Sequence, residues 1–209
     1  MKRNKKMNKK TRIMVECSLL IAVTIILSFI KIYEAPLGGS VTLFSMVPLM
    51  IISIRHGLGW GLGSSFVFAV FKLWIGAGNF AYVPTVKGII VVILLDYLLA
   101  YTAIGLAGAF RKCKFSQNQK TNATITTTLG VVLACVARFV CHFVNGAVVW
   151  YEITKNGDWN EYVHTVGMWV YSFVYNITYI GPEAVMTIIA VPTIVMLLKI
   201  LKKNTRKDV

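Results

Sequence analysis

The sequence predicts an all-α membrane protein of six transmembrane helices with both termini on the cytoplasmic side. Three observations carry that prediction. Hydrophobic residues make up 56% of the 209 residues and charged residues only 14%, more apolar surface than a soluble core of this size can bury, so lipid is the solvent for most of it. The apolar residues come in runs, most of them within the span length of about 17 to 25 residues. The basic residues gather between those runs, and with six spans every cluster falls on one side, which the positive-inside bias makes the cytoplasm.

The first run, Ile13–Ile30, follows Lys2, Arg3, Lys5, Lys6, Lys9, Lys10 and Arg12. It is long for the apolar part of a signal peptide, and no small-x-small cleavage site follows, so it reads as a retained helix. Leu43–Ile54 is the shortest run, and Arg55 separates it from Leu58–Ile75. Thr85–Phe110 ends at Arg111, Lys112, Lys114 and Lys120, before Ala123–Trp150. The last run, Thr165–Leu201, is long and holds Pro182 and Pro192, which predicts a kink. Lys199, Lys202, Lys203, Arg206 and Lys207 follow or close it. The opposite loops, Ile32–Thr42, Gly76–Pro84 and Tyr151–His164, are rich in Gly and Pro or carry acidic residues. The chain thus divides into a basic tail (1–12), one six-helix domain (13–201) and a second basic tail (202–209).

A formal charge of +14 could mean nucleic acid, but charges clustered between apolar runs meet lipid headgroups instead. Cys17, Cys113, Cys135 and Cys141 have neither zinc-site spacing nor the look of a disulfide framework. No internal repeat supports an autonomous secondary carrier. No G-x-x-x-x-G-K-[ST] loop is present to bind ATP. No nucleophile–base pair points to an intramembrane enzyme.

Ionisable groups inside a span are costly and are read first as functional. Asp96 lies near the middle of the fourth run, beside Tyr97 and one turn before Tyr101. A carboxylate there requires a cation, either Arg138 or a ligand. In the fifth run Arg138, His142, Gly146 and Trp150 recur every four residues and share a helix face, with Asn145 beside them. Gly146 leaves room on that face for a ligand or for another backbone. The sixth run offers Tyr171 and Tyr175 and a polar stripe of Ser172, Asn176, Tyr179 and Glu183. Glu183 either pairs with Arg138 or faces a cytoplasmic partner. Together these residues describe a pocket for a small, planar, cationic ligand, with aromatic faces for stacking and Asp96 as countercharge. No metal-ligand cluster and no cofactor are implied. In the first run Ser18 and Ala22 form a small-xxx-small pair, which lets a helix of this chain or of another protein approach closely.

Several stretches resemble the thiamine-specific substrate-binding subunits (S components) of energy-coupling factor transporters. These are Gly38-Gly39-Ser40-Val41, Asp96-Tyr97, Gly105-Leu-Ala-Gly-Ala-Phe-Arg111, His142-Phe-Val-Asn-Gly-Ala-Val-Val-Trp150 and Tyr171-Ser-Phe-Val-Tyr-Asn176. The resemblance implies a six-helix fold that takes thiamine from outside. A separate transmembrane coupling subunit and two cytoplasmic ATPase subunits would then drive transport. It implies pocket roles for Asp96 and Tyr97, ligand contacts from His142, Trp150, Tyr171 and Asn176, and stacking by Trp150. It also implies that the first helix, with Ser18 and Ala22, docks on the coupling subunit. The chain departs from some members in having Asp96 where they have Glu, and Gly38-Gly39 where they have a Trp. A sister S component for another vitamin or a thiamine precursor is the rival reading.

Overall fold

A computed structural model describes residues 8–35 and 38–207, with side chains through Leu201. The first seven residues and the side chains of the second tail therefore lie outside the described residues. Helix α1 (Lys9–Phe29) begins where the Asn8 side chain accepts the Lys10 N–H at 3.3 Å. A hairpin that the apolar pattern did not predict comes next. Strand β1 (Lys31–Glu34) pairs antiparallel with β2 (Ser40–Thr42), Tyr33 opposite Val41 and Glu34 opposite Ser40. Its return passes through Gly39 at φ +87°, where any Cβ would also strike the Tyr179 ring, so only glycine fits.

The hairpin displaces the start of the next helix from Leu43 to Val47, giving α2 (Val47–His56) with Pro48 in its first turn. Helix α3 (Leu58–Ile75) has the bounds the sequence predicts and passes into a 3₁₀ segment, Gly76–Tyr82. Helix α4 (Val86–Gly108) starts where Thr85 Oγ1 accepts the Gly88 N–H at 3.1 Å. It contains a π-helical stretch at Ile93–Leu99 and ends in a 3₁₀ turn. Helix α5 (Gln119–Asn156) is capped by Asn118 and carries a second π-helical stretch at Gly146–Trp150. The last predicted run is two helices, α6 (Met168–Ile189) and α7 (Val191–Lys207), bent by 49°. The break falls at Ala190 rather than at Pro182, which α6 accommodates. Pro192 sits in the first turn of α7, where a missing N–H leaves no bond unmade.

Among the described residues four helical segments are long and apolar enough to cross a membrane, and the bent α6–α7 pair is a fifth if counted as one span. Helix α2 is apolar but shorter, and its burial explains why. Leu49, Met50 and Ile52 are fully inaccessible at the centre of a core that takes in Phe68, Ile104 and Val131. Close packing of α4 depends on Gly105, where a Cβ would fall on the α3 backbone at Gly61, and on Gly108, where it would fall on the α2 backbone at Ser53. Ser53 on α2 ties the layers by donating to the Gly105 carbonyl and accepting the Gly108 N–H. The glycines of the Gly105–Arg111 stretch therefore serve packing. Outward faces of the long helices expose Leu19, Val67, Ile90, Val136 and Val185, the surface that lipid covers.

Candidate functional site

A cavity of about 810 Å³ opens beside the hairpin and is walled by α3, α4, α5 and α6. All seven residues expected to bind ligand line it: Asp96, Tyr97, His142, Gly146, Trp150, Tyr171 and Asn176. Two π-helical stretches deliver four of them, Asp96 and Tyr97 on α4 and Gly146 and Trp150 on α5. A π turn breaks the regular ladder and aims side chains that a straight helix would place elsewhere.

Asp96 is the hub. Its Oδ1 faces His142 Nδ1 at 2.9 Å, and its Oδ2 accepts from Trp150 Nε1 at 2.7 Å and from Asn145 Nδ2 at 2.5 Å. An ionised carboxylate only accepts, so against it His142 Nδ1 is the donor, and in the neutral ring Nε2 is the acceptor. That Nε2 is buried and has no partner. A carboxylate offers about four lone-pair positions, so Asp96 keeps capacity for a ligand after these three bonds.

The alternative of an Asp96–Arg138 ion pair is overturned. Arg138 Nη1 lies 2.5 Å from Glu183 Oε2, and both side chains are almost fully buried. Glu183 Oε1 also accepts from the Thr42 hydroxyl and, at 3.3 Å, from the Thr42 N–H, which fastens β2 to α6. Arg138 further lies 5.2 Å from the centre of the Tyr101 ring. Its charge is therefore satisfied at the cavity wall, and among the described residues no Lys or Arg lies within ion-pairing distance of Asp96, whose titratable partner is His142.

The predicted stripe on α6 is buried in full: Ser172, Asn176, Tyr179 and Glu183. Asn176 is turned inward, donating to the Ser172 carbonyl at 2.8 Å and accepting the Tyr179 hydroxyl at 2.5 Å. It holds the wall in place and reaches the cavity with what remains of its amide. Gly146 admits α6 rather than an open space, because a Cβ there would strike Ser172 Oγ and approach Asn176 Nδ2 at 3.0 Å. Tyr97 is anchored to the 3₁₀ segment, donating to the Gly76 carbonyl and accepting from Asn79 Nδ2, both at 3.1 Å. Tyr171 stacks with Tyr175, ring centres 6.0 Å apart, and Tyr175 donates to the Gly38 carbonyl at 2.6 Å. An aromatic wall runs down α6 and ends against the hairpin.

Sequence reasoning missed Lys72, Asn79, Tyr82 and Trp159, all of which line the cavity. Tyr82 and Trp159 meet edge to face at its mouth, ring centres 5.4 Å apart. Lys72 was detectable by the rule that singled out Asp96, since it is an ionisable residue inside an apolar run. Ser18 and Ala22 are exposed on the outward face of α1, so they do not pack against this chain's own helices. No group of three His, Cys, Asp or Glu side chains that could hold a metal ion occurs among the described residues.

The family described as "Thiamine transporter protein (Thia_YuaJ)" matches residues 14–204. The chain is 30% identical over 176 residues to the thiamine transporter ThiT of Bacillus subtilis, covering 81% of this chain and 83% of that one. It is 23% identical over 174 residues to the thiamine transporter ThiT of Lacticaseibacillus paracasei, covering 81% and 79%. The solved structure of ThiT from Listeria monocytogenes shares the fold, with a TM-score of 0.66 over 94% of this chain and 98% of that one at 24% identity. Apolar helices and these relatives together make the chain a multi-pass integral membrane protein of the cell membrane, and it belongs to the thiamine transporter protein family.

Proposed function

We propose that the chain is the thiamine-binding S component of an energy-coupling factor importer, crossing the membrane six times with both termini in the cytoplasm. The observation that carries this reading is the Asp96 carboxylate, paired with no Lys or Arg among the described residues and held by His142, Asn145 and Trp150 at the wall of an aromatic cavity. Thiamine is a cation of two flat rings, an aminopyrimidine and a positively charged thiazolium, joined by a methylene. Its positive charge meets Asp96, its amino group donates to His142 Nε2, and its rings lie against Trp150 and the tyrosines. Tyr97, Gly146, Tyr171 and Asn176 complete the contact surface.

The orientation is supported by where the basic links gather. Glu16 of α1 pairs with Arg55 at 2.5 Å, and the Arg111 side chain lies against Gly57, so these links converge at the end away from the hairpin. In this reading the cavity opens outward, and the exposed Ser18–Ala22 face of α1 docks on the transmembrane coupling subunit. The chain contributes binding, and two separate ATPase subunits supply the energy.

The test is a thiamine titration of the detergent-solubilised chain, read by intrinsic tryptophan fluorescence. Thiamine quenches the emission, and Trp150→Phe removes most of the signal. Reconstituted alone in liposomes, the chain does not concentrate thiamine. Sustained uphill uptake without ATPase subunits, or no binding at micromolar thiamine, defeats the reading.

A further inference from the structure

Asn122, in the first turn of α5, gives the link between α4 and α5 a fixed shape. Its Oδ1 accepts the N–H of Phe115 at 2.6 Å and of Ser116 at 3.1 Å, and its Nδ2 donates to the Cys113 carbonyl at 3.1 Å. At the other end the Cys113 N–H donates to the Phe110 carbonyl at 2.9 Å, and the Arg111 side chain leans back on Gly57. Held in this way, the link exposes Lys112, Lys114 and Phe115, the last of them at 53%. From Phe110 to Asn122 there is no acidic residue. Among the described residues no carboxylate pairs with Lys112, Lys114 or Lys120.

An aromatic side chain fixed in the open gains nothing from water, so its level in the molecule decides what covers it. The Asn122 bonds set Phe115 level with the first turn of α5. On that helix the first large apolar side chain exposed is Leu129, followed by Val132, Val136 and Val140. Seven residues at about 1.5 Å each place Leu129 about 10 Å deeper than Asn122. Thr124, Thr126, Thr127 and Thr128 fill the interval. Phe115 therefore stands outside the hydrocarbon, in the layer of the headgroups, where aromatic rings and lysines anchor membrane proteins. There its ring rests on the upper acyl chains while the two ammonium groups reach phosphate oxygens. An acidic protein surface would match the lysines equally well, but lipid is the neighbour at this level.

We propose that the Asn122-clamped link, through Lys112, Lys114 and Phe115, is a preformed binding surface for anionic phospholipid headgroups. The inference rests on the six-span reading, which puts this link at the cytoplasmic face of the membrane. It concerns the surface opposite the hairpin and asks nothing of the thiamine cavity.

Native mass spectrometry of the detergent-solubilised full chain measures the affinity for the first phosphatidylglycerol bound, with phosphatidylcholine as the neutral control. Wild type binds phosphatidylglycerol the more tightly. Replacing Lys112 and Lys114 together by glutamine weakens it by at least about fivefold and leaves phosphatidylcholine unchanged. Phe115→Ser weakens both lipids. Asn122→Ala keeps every charge but frees the link, and its loss matches that of the lysine variant. Asn122→Ser repeats the release if the alanine variant does not fold. All variants bind thiamine as wild type does. Unchanged phosphatidylglycerol affinity in either the lysine or the Asn122 variants overturns the proposal. Unchanged lipid affinity with impaired uptake by the assembled importer also overturns it, and assigns the link to a protein partner. The orientation is checked separately, in a chain whose other three cysteines are alanine. Labelling of Cys113 by an impermeant maleimide from outside intact cells overturns the orientation and this inference together, whereas a negative lipid result leaves the orientation standing.

Discussion

The indole N–H of Trp150 donates to the Asp96 carboxylate at 2.7 Å. The ring and the carboxylate that face the cavity are thus one unit spanning α4 and α5. Asp96 orients the indole, and the indole N–H with the Asn145 amide fixes the position of the carboxylate at the cavity wall. Stacking and countercharge are coupled, and changes at the two positions are not additive.

Asp96→Asn separates recognition from folding. Because Arg138 has its own partner in Glu183, removing the Asp96 charge strands no buried cation, and the variant folds. Thiamine affinity falls by about 2–5 kcal/mol, the range for losing one member of a desolvated, hydrogen-bonded charge pair. Thermal unfolding and a thiamine titration on one sample check both halves. A folded Asp96→Asn chain with wild-type affinity ends the claim that Asp96 recognises the ligand.

Arg138 and Glu183 behave in the opposite way. Glu183→Gln leaves the buried guanidinium uncompensated and weakens the hold on Thr42, so it destabilises the chain by about 3–5 kcal/mol. Replacing both with methionine removes the two charges together and recovers most of that loss. Thermal melting of Arg138→Met, Glu183→Met and the double variant forms the cycle. Equal losses in all three show that the pair is not the unit described.

Ser18→Trp or Ala22→Trp enlarges an exposed position on α1 without touching the cavity. In the assembled importer either change impairs uptake, because a second helix can no longer approach closely. Affinity of the isolated chain for thiamine stays within about twofold of wild type. Unimpaired uptake by both variants in the full complex removes this face from the docking surface.

Much of this was legible in the sequence, for reasons that differ by element. The bounds of α3 were readable because glycines flank it on both sides, Gly57 at φ +101° and Gly76 at its C-terminal end. The hairpin was not, because β1 is exposed at every position and so shows no alternation to read. In the site, Asp96, His142 and Trp150 stood out as costly or regularly spaced polar residues in apolar runs. The partner of Arg138 did not, because choosing between Asp96 and Glu183 requires the relative depth of three helices. Gly146 was ambiguous for the same kind of reason. The space beside it could be read, but its occupant, Ser172 of α6, belongs to another run.

The paired π-helical stretches have a consequence for how this chain tolerates insertions and deletions. Each holds about one residue more than the regular turn it replaces, so losing one residue within Gly146–Trp150 would close that turn as α-helix, leave the flanking helix nearly in phase and re-aim the indole that meets Asp96. One residue more or less elsewhere in either helix turns everything beyond it by about 100°. Single-residue length changes in α4 or α5 are therefore neutral for hydropathy and ruinous for the alignment of Asp96 with Trp150. The expectation for related sequences is that gaps fall in the links on either side rather than within Ile93–Leu99 or Gly146–Trp150.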